Sequence, residues 1–337
     1  MNFEFDDEHY ALRETMARYL AEHFPPATLR RYWDHDSSDP APWAGLARMG
    51  VVGLAVPVEW GGSGMGLCDA MLAIEELGAH AVAQPVAEAL GIVAPLLAKH
   101  ADDELCARWL PGLVDGSVMA SVQEGWAGQA PWGAAAHLVL VPREDGTVAL
   151  CVPDATTKTF AGAQDRARRP ARLGPTSIVS VLEKGRVATE LRDRARVVYA
   201  QLLLGLARGA IAQAVEYARL REQFGRPIGS FQAVKHMLAD AHVAVQTARR
   251  ATWYAAWCVD HDQPDRGESA ALAKASAGEA ALAASHAALQ VHGAIGFTWQ
   301  CDLHLWLKRI HVLEPLFGSA PTVWRELADT WFDGEAA

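Results

Sequence analysis

Two runs in the second half of the chain carry side chains that suit a ligand with phosphate and aromatic groups. The first is Arg219-Leu-Arg221-Glu-Gln-Phe224-Gly225-Arg-Pro-Ile228-Gly-Ser-Phe231-Gln232. The second, about sixty residues later, is Gln290-Val-His292-Gly293-Ala294-Ile-Gly296-Phe297-Thr-Trp299. Arg221 offers a forked cation that can hold two pyrophosphate oxygens at once. Phe224 offers an aromatic face to an adenine or a ribose. Gln232 and Gln290 present amides to hydroxyl and phosphate groups. Gly225 lets the chain turn sharply, and Gly293 lets backbone approach a ligand closely. Taken singly, each also suits a structural role: Arg221 as a charge at a helix end, Phe224 as a core anchor.

Other chemistries fail on pattern. The glycines of the loop Gly61–Gly66 do not fall in a GxGxxG frame, and no strand–turn–helix unit surrounds them. Met65 stands where GxSxG needs its last glycine. HExxH, Walker A and EF-hand patterns do not occur. The five cysteines form no CxxC pair, so reduced thiols and a cytoplasmic location are expected, with no zinc site. A net charge of −10 makes the chain a poor nucleic-acid binder. Glu88, Gln201, Arg208, His286, Gln290 and His292 interrupt the apolar stretches, so no run reaches the ~18 residues of a membrane span. The acidic start of the chain does not read as a signal peptide.

The elements that must position these residues fall into three groups. A length of 337 residues allows two or three domains. Residues 1–116 read as helices: one capped by Asp6 or Asp7 and ended by Pro25-Pro26, one closed by Gly50, and two more over DAMLAIEELGAH and QPVAEALGIVAPLLAKH. Residues 117–190 hold four short Val-rich runs, SVMASVQE, HLVLVPRE, TVALCVPD and TSIVSVLE, which read as strands. Asp145-Gly146 is the expected hairpin turn. Residues 191–337 return to long Ala-rich helices, read as a four-helix bundle. The fold class is therefore mainly α, with a small central β-domain.

The two motifs, RxxFGxxIxxFQ and QxHGxxGFT, resemble those of the acyl-CoA dehydrogenase family. LARMGVVGLAVPVEWGGSGMGL with IEELG is similar to that family's N-terminal helical domain, and LPGLVDGSVMASVQE to its entry into the β-domain. The resemblance covers nearly the whole chain and implies FAD as cofactor. It implies that Arg221, Gln223, Phe224, Gln232, Gln290 and Gly293 contact the ADP part of FAD across a subunit interface. It also implies an acyl-CoA substrate, desaturated by loss of an α-proton to a glutamate and of a β-hydride to flavin N5.

The chain departs from the family where that glutamate is needed. Of the family's two base positions, one falls on Phe317 and the other on Ala195, and neither side chain accepts a proton. Glu314, one turn before Phe317, reads as a helix-end carboxylate, with a displaced base as the alternative. The family's TEPxAGSD stretch is replaced by Gln123-Glu124-Gly125-Trp126-Ala127-Gly128-Gln129. The β-segment is short, and Ala294 replaces the second glycine of the usual pair.

These losses cluster at the flavin ring and the base, while the residues that reach a neighbour's cofactor remain. That asymmetry resembles one half of the paired α2β2 acyl-CoA dehydrogenases, which are associated with bulky substrates such as steroid side chains. The implied partners are a second acyl-CoA dehydrogenase-like chain and an electron acceptor such as an electron-transfer flavoprotein. The competing readings are a homo-oligomeric flavin enzyme of oxidase or N-hydroxylase type, and a cofactor-free scaffold subunit.

Overall fold

Helix α1 (Asp7–His23) begins where the sequence supplies a cap: Asp6 is extended and its carboxylate accepts from the His9 amide. This satisfies one of the donors that every helix start leaves open. The proline pair ends α1 and also opens α2 (Pro26–Asp34), an additional helix. Proline's fixed φ suits a first helical position. α3 (Ala41–Arg48) stops just before Gly50, whose φ is 79°. α4 is Leu67–Ala79. The run expected as one helix from Gln84 is α5 (Val86–Glu88) and α6 (Ala94–His100), joined by a π-helical turn, Ala89–Val93. α7 (Asp103–Asp115) follows, capped by Asp102 and closed at Gly116. The computed structural model describes residues 4–34, 41–160, 162–183 and 186–332.

The four Val-rich runs pair as a single sheet. β1 (Ala120–Val122) lies parallel to β2 (Leu138–Pro142), and β2 is antiparallel to β3 (Val148–Cys151). A separate two-stranded ladder, β4 (Lys158–Thr159) with β5 (Ala171–Arg172), follows, and β6 (Ile178–Leu182) then joins the edge of β3. Asp145 and Gly146 make the β2–β3 turn, with Thr147 N donating to Asp145 Oδ1 at 3.1 Å. Val139, Val141, Ala149, Cys151 and Leu173 form the core of this β-region. Burial, aided by the nearby charge of Asp154, pushes the Cys151 thiol up to about 12, so it stays protonated at neutral pH.

The remainder is helical: α8 (Val187–Leu220), a hairpin of β7 (Glu222–Gln223) and β8 (Arg226–Pro227), α9 (Gln232–Asp260), α10 (Arg266–His292), α11 (Leu303–Leu313) and α12 (Ala320–Phe332). α12 goes beyond the expected four and packs on α10 through Ala271, Ala275, Ala320, Val323 and Leu327. α8 is long and apolar enough to cross a membrane by composition, yet 78% of its most apolar stretch is buried inside the protein. It is a core helix.

The chain divides into two units. Phe5–Ala73 with Val82–Val198 form one, and Ile74–Ala81 with the chain from Tyr199 onward form most of the other. In the first, Glu190 on α8 is gripped by Lys99 and His100, each at 2.9 Å, and by Arg194 at 3.2 Å. Burial opposes ionisation of Glu190. The hydrogen bonds from His100 and Lys99 and the charge of Arg194 outweigh it and hold the carboxyl well below the usual range. In the second, the end of α4 meets α8 with almost no side chain between them. A Cβ on Gly205 would lie 2.2 Å from Glu75 O, and one on Gly78 2.4 Å from Leu202 O. Beside this crossing, Arg208 bridges Glu75 and Glu76, and Arg249 holds Glu75 at 2.7 Å. Two acids and two guanidiniums thus balance locally, as buried charges require.

Candidate functional site

The first motif folds into the hairpin that leaves α8. Phe224 and Gly225 are its two turn residues, with φ of 55° and 75°. Two successive positive φ values are what a tight two-residue hairpin needs, and glycine meets the second without strain. Register is set by Gln223 opposite Arg226 and Glu222 opposite Pro227. The Arg221 amide still donates to Tyr217 O at 2.8 Å, so Arg221 continues directly from α8. Arg221, Gln223 and Gln232 are exposed. Phe224 is 92% exposed, which removes the core-anchor reading. Its ring meets Phe231 edge-on at 6.2 Å, and the Arg226 guanidinium lies 4.2 Å above Phe231. The hairpin therefore displays an aromatic face and two cations on a braced support.

Gln232 opens α9. Phe231, at the cap position, supplies no side-chain acceptor, so the first amides of a 29-residue helix stay available to an anion. The second motif ends α10: Gln290 is exposed on its last turn, and Gly293 breaks the helix at φ 63°, ψ −143°. That conformation is open only to glycine. No atom lies within 4 Å of where a Gly293 Cβ would be, so its peptide is bare on that side.

Tyr217, which the sequence analysis does not single out, joins the two motifs. Its ring stacks on His292 at 4.5 Å and 19°, and His292 Nδ1 lies 2.8 Å from Ala288 O. Arg221 follows Tyr217 by one turn and Gly293 follows His292 directly. The stack thus brings the exposed parts of both motifs to one end of the helices. The available signal is the spacing: Tyr217 shares a helix face with Arg221.

The positions expected to lack a base are apolar and buried. Ala195 lies on α8 with no exposure. Phe317 is 6% exposed, and its ring stacks on Tyr199 at 5.5 Å and 23°. Glu314 is 9% exposed, and its Oε1 accepts from Ala320 N at 2.7 Å. That carboxylate satisfies the start of α12, as a helix-end carboxylate does. In the β-region, Gln123 is fully buried. Its Nε2 donates to Gly125 O at 3.0 Å and Leu173 O at 3.2 Å, while its Oε1 accepts from Leu173 N at 2.8 Å. The amide is spent on closing its own loop.

Comparison with known proteins matches the same regions. The profile of the acyl-CoA dehydrogenase N-terminal domain matches residues 6–117, and that of the C-terminal domain matches 183–330. Acyl-CoA dehydrogenase IpdE2 of Mycobacterium tuberculosis is 33% identical over 340 residues, covering 96% of this chain and 98% of that protein. Among solved structures, a variant of the steroid ACAD Tcur3481-Tcur3483 superposes with a TM-score of 0.83 at 28% identity, covering 98% of this chain and 99% of the other. The ChsE4-ChsE5 complex from Mycobacterium tuberculosis supplies a chain with a TM-score of 0.86 at 24% identity, with coverage of 98% and 99%, and this likeness concerns the fold.

Proposed function

Because the chain belongs to the acyl-CoA dehydrogenase family, we propose that it is one subunit of an FAD-dependent acyl-CoA dehydrogenase acting on a bulky, steroid-type acyl-CoA. In this reading it completes the ADP side of a flavin site carried by a partner chain and supplies no catalytic base. The division into residues 1–116, 117–190 and 191–337, and a cytoplasmic location, belong to the same proposal. The single observation that carries it is the contrast in exposure. Phe224 is 92% exposed on a braced hairpin, whereas Phe317, at a base position, is 6% exposed and stacked away.

The residues fit the ADP half of FAD. Arg221, helped by Arg226 and the open amides of α9, offers positive charge to a pyrophosphate. Phe224 offers its face to adenine or ribose, and Gln223, Gln232 and Gln290 offer amides to hydroxyls and phosphate. Gly293 leaves backbone bare for close approach. Exposed apolar side chains flank these groups: Leu220 at 72%, Phe297 at 78% and Trp299 at 45%. A second chain covering them would take apolar area out of water, which favours association. When bound, FAD supplies the acceptor for the β-hydride. This chain's residues bind and orient it, and proton removal falls to the partner. The relative Tcur3481-Tcur3483 carries the names of two components and is called a steroid ACAD, which supports both the pairing and the substrate class. Electrons would leave to an acceptor such as an electron-transfer flavoprotein.

The test is flavin retention. The chain is purified alone and after co-expression with a candidate partner that has the family's glutamate, and FAD is measured after dialysis. The proposal expects little FAD on the chain alone and stable FAD in the complex. A full complement of FAD on the chain alone, with turnover of a small nitrogen compound, would favour the homo-oligomeric alternative. A flavin-free complex would favour a scaffold.

A further inference from the structure

His286 on α10 and His311 on α11 meet across two packed helices. Their ring centroids are 6.3 Å apart, with the planes tilted by 54°. Both are exposed, although Ser285 and Ala287 beside the first and Ile310 beside the second are buried. His311 Nδ1 lies 2.8 Å from Leu307 O. A carbonyl only accepts, so Nδ1 carries the proton and the neutral ring keeps its lone pair on Nε2. His286 has no hydrogen-bond partner among the described residues, so its ring nitrogens are available. Lys308, one turn before His311, lays its ammonium over the Trp299 ring at 4.8 Å, which engages that cation elsewhere.

Two imidazoles held this way meet the needs of a transition-metal ion. With metal–nitrogen bonds of about 2.0–2.1 Å, two rings on one ion have centroids roughly 5–6.5 Å apart. The pair lies inside that range as it stands. Metal-bound histidines donate their second N–H to a carbonyl or carboxylate, which fixes tautomer and ring orientation, and His311 already does so through Leu307 O. Imidazole suits Zn²⁺, Ni²⁺ and Cu²⁺, whereas Mg²⁺ and Ca²⁺ take oxygen ligands. Among the described residues no third histidine, cysteine or carboxylate completes the group, so water fills the other positions. We infer that His286 and His311 together bind one divalent transition-metal ion, and that this ion clips α11 to α10. Spacing motifs do not reveal such a site, because its two ligands lie on different helices. It is independent of the proposed flavin role, since neither histidine is among the residues assigned to the cofactor.

The test uses the full chain without a histidine tag. Zn²⁺ and Cu²⁺ are titrated calorimetrically into the native chain, His286→Gln, His311→Gln and the double variant. Both positions are exposed, so the variants should fold, and their metal-free melts check this. Each single variant should weaken the tightest site at least about tenfold. The double variant should lose no more than either single one, because both histidines serve one ion. A smaller loss in either single variant overturns the inference. Losses that add on the logarithmic scale also overturn it, because they mean two separate ions. The chain has 13 histidines, and the double variant measures binding at the others. Electron paramagnetic resonance of the native chain with one equivalent of Cu²⁺ should show two imidazole nitrogens on the ion, and a single imidazole overturns the shared site. Thermal melts read the clip. Saturating Zn²⁺ should raise Tm of the native chain and leave that of the double variant unchanged. A shift equal in the two, or absent from both, overturns the clip. No readout uses flavin, turnover or a partner, so failure here is separable from failure of the proposed function.

Discussion

Replacing Glu314 by Gln separates a structural carboxylate from a catalytic one. In the structure its Oε1 accepts the Ala320 amide at 2.7 Å. Glutamine keeps a neutral acceptor there, so the change converts a charge-assisted hydrogen bond into an ordinary one. The difference is about 1–1.5 kcal/mol. Unfolding entropy of about 2.1 cal/mol/K per residue over 337 residues gives about 0.7 kcal/mol per degree, so Tm should fall by about 2 °C. In the proposed reading no proton passes through this carboxyl, so activity measured with the proposed partner should stay within about twofold of native. The assay pairs a thermal melt with acyl-CoA-dependent dye reduction. A general base contributes about 10²–10⁴-fold, so a rate loss of that size with an unchanged Tm would refute the assignment of Glu314 to the start of α12.

Arg221→Ala should weaken FAD retention by the complex by ~1.5–3 kcal/mol, the worth of a charge-assisted contact, read as faster flavin loss on dialysis, with unchanged occupancy as the contrary result. Gly205→Ala would set a Cβ 2.2 Å from Glu75 O and should lower Tm by an overpacking cost of about 1–3 kcal/mol. Gly162→Ala meets nothing within 4 Å and should leave Tm unchanged. His9 bridges Asp6 at 2.5 Å and Asp69 at 3.0 Å. Burial alone would lower its pKa, but the hydrogen bonds and charges of the two carboxylates raise it above 6.5. The contribution of this clasp is complete below that value and is lost as pH rises through the raised one. Proteolysis of α1 should therefore increase on the alkaline side, and His9→Gln should flatten that dependence.

The sequence makes the local punctuation legible. Asp6 caps α1, Asp145-Gly146 turns the hairpin, and all four Val-rich runs become the strands of one sheet. Pro25-Pro26 is legible only as a stop, because a proline at a first helical position and a proline that ends a helix look alike in one dimension. α7 carries Pro111 inside it, which hides it among loop signals. β4 and β5 have two residues each, too few for any alternation to register. At the site, exposure is what the sequence leaves open: Phe224 suits a core as well as a ligand until its hairpin is seen. Lys274 is the clearest omission. It is fully buried on α10, with its Nζ donating to Glu314 O and Gly318 O, a long-range contact that helical periodicity does not encode.

The most direct test of the central claim is desaturation by this chain alone. The purified chain, supplied with excess FAD, a steroid side-chain acyl-CoA and an electron-accepting dye, should show no substrate-dependent dye reduction, and addition of the glutamate-bearing partner should restore it. Steady desaturation by the chain without any partner would contradict the account.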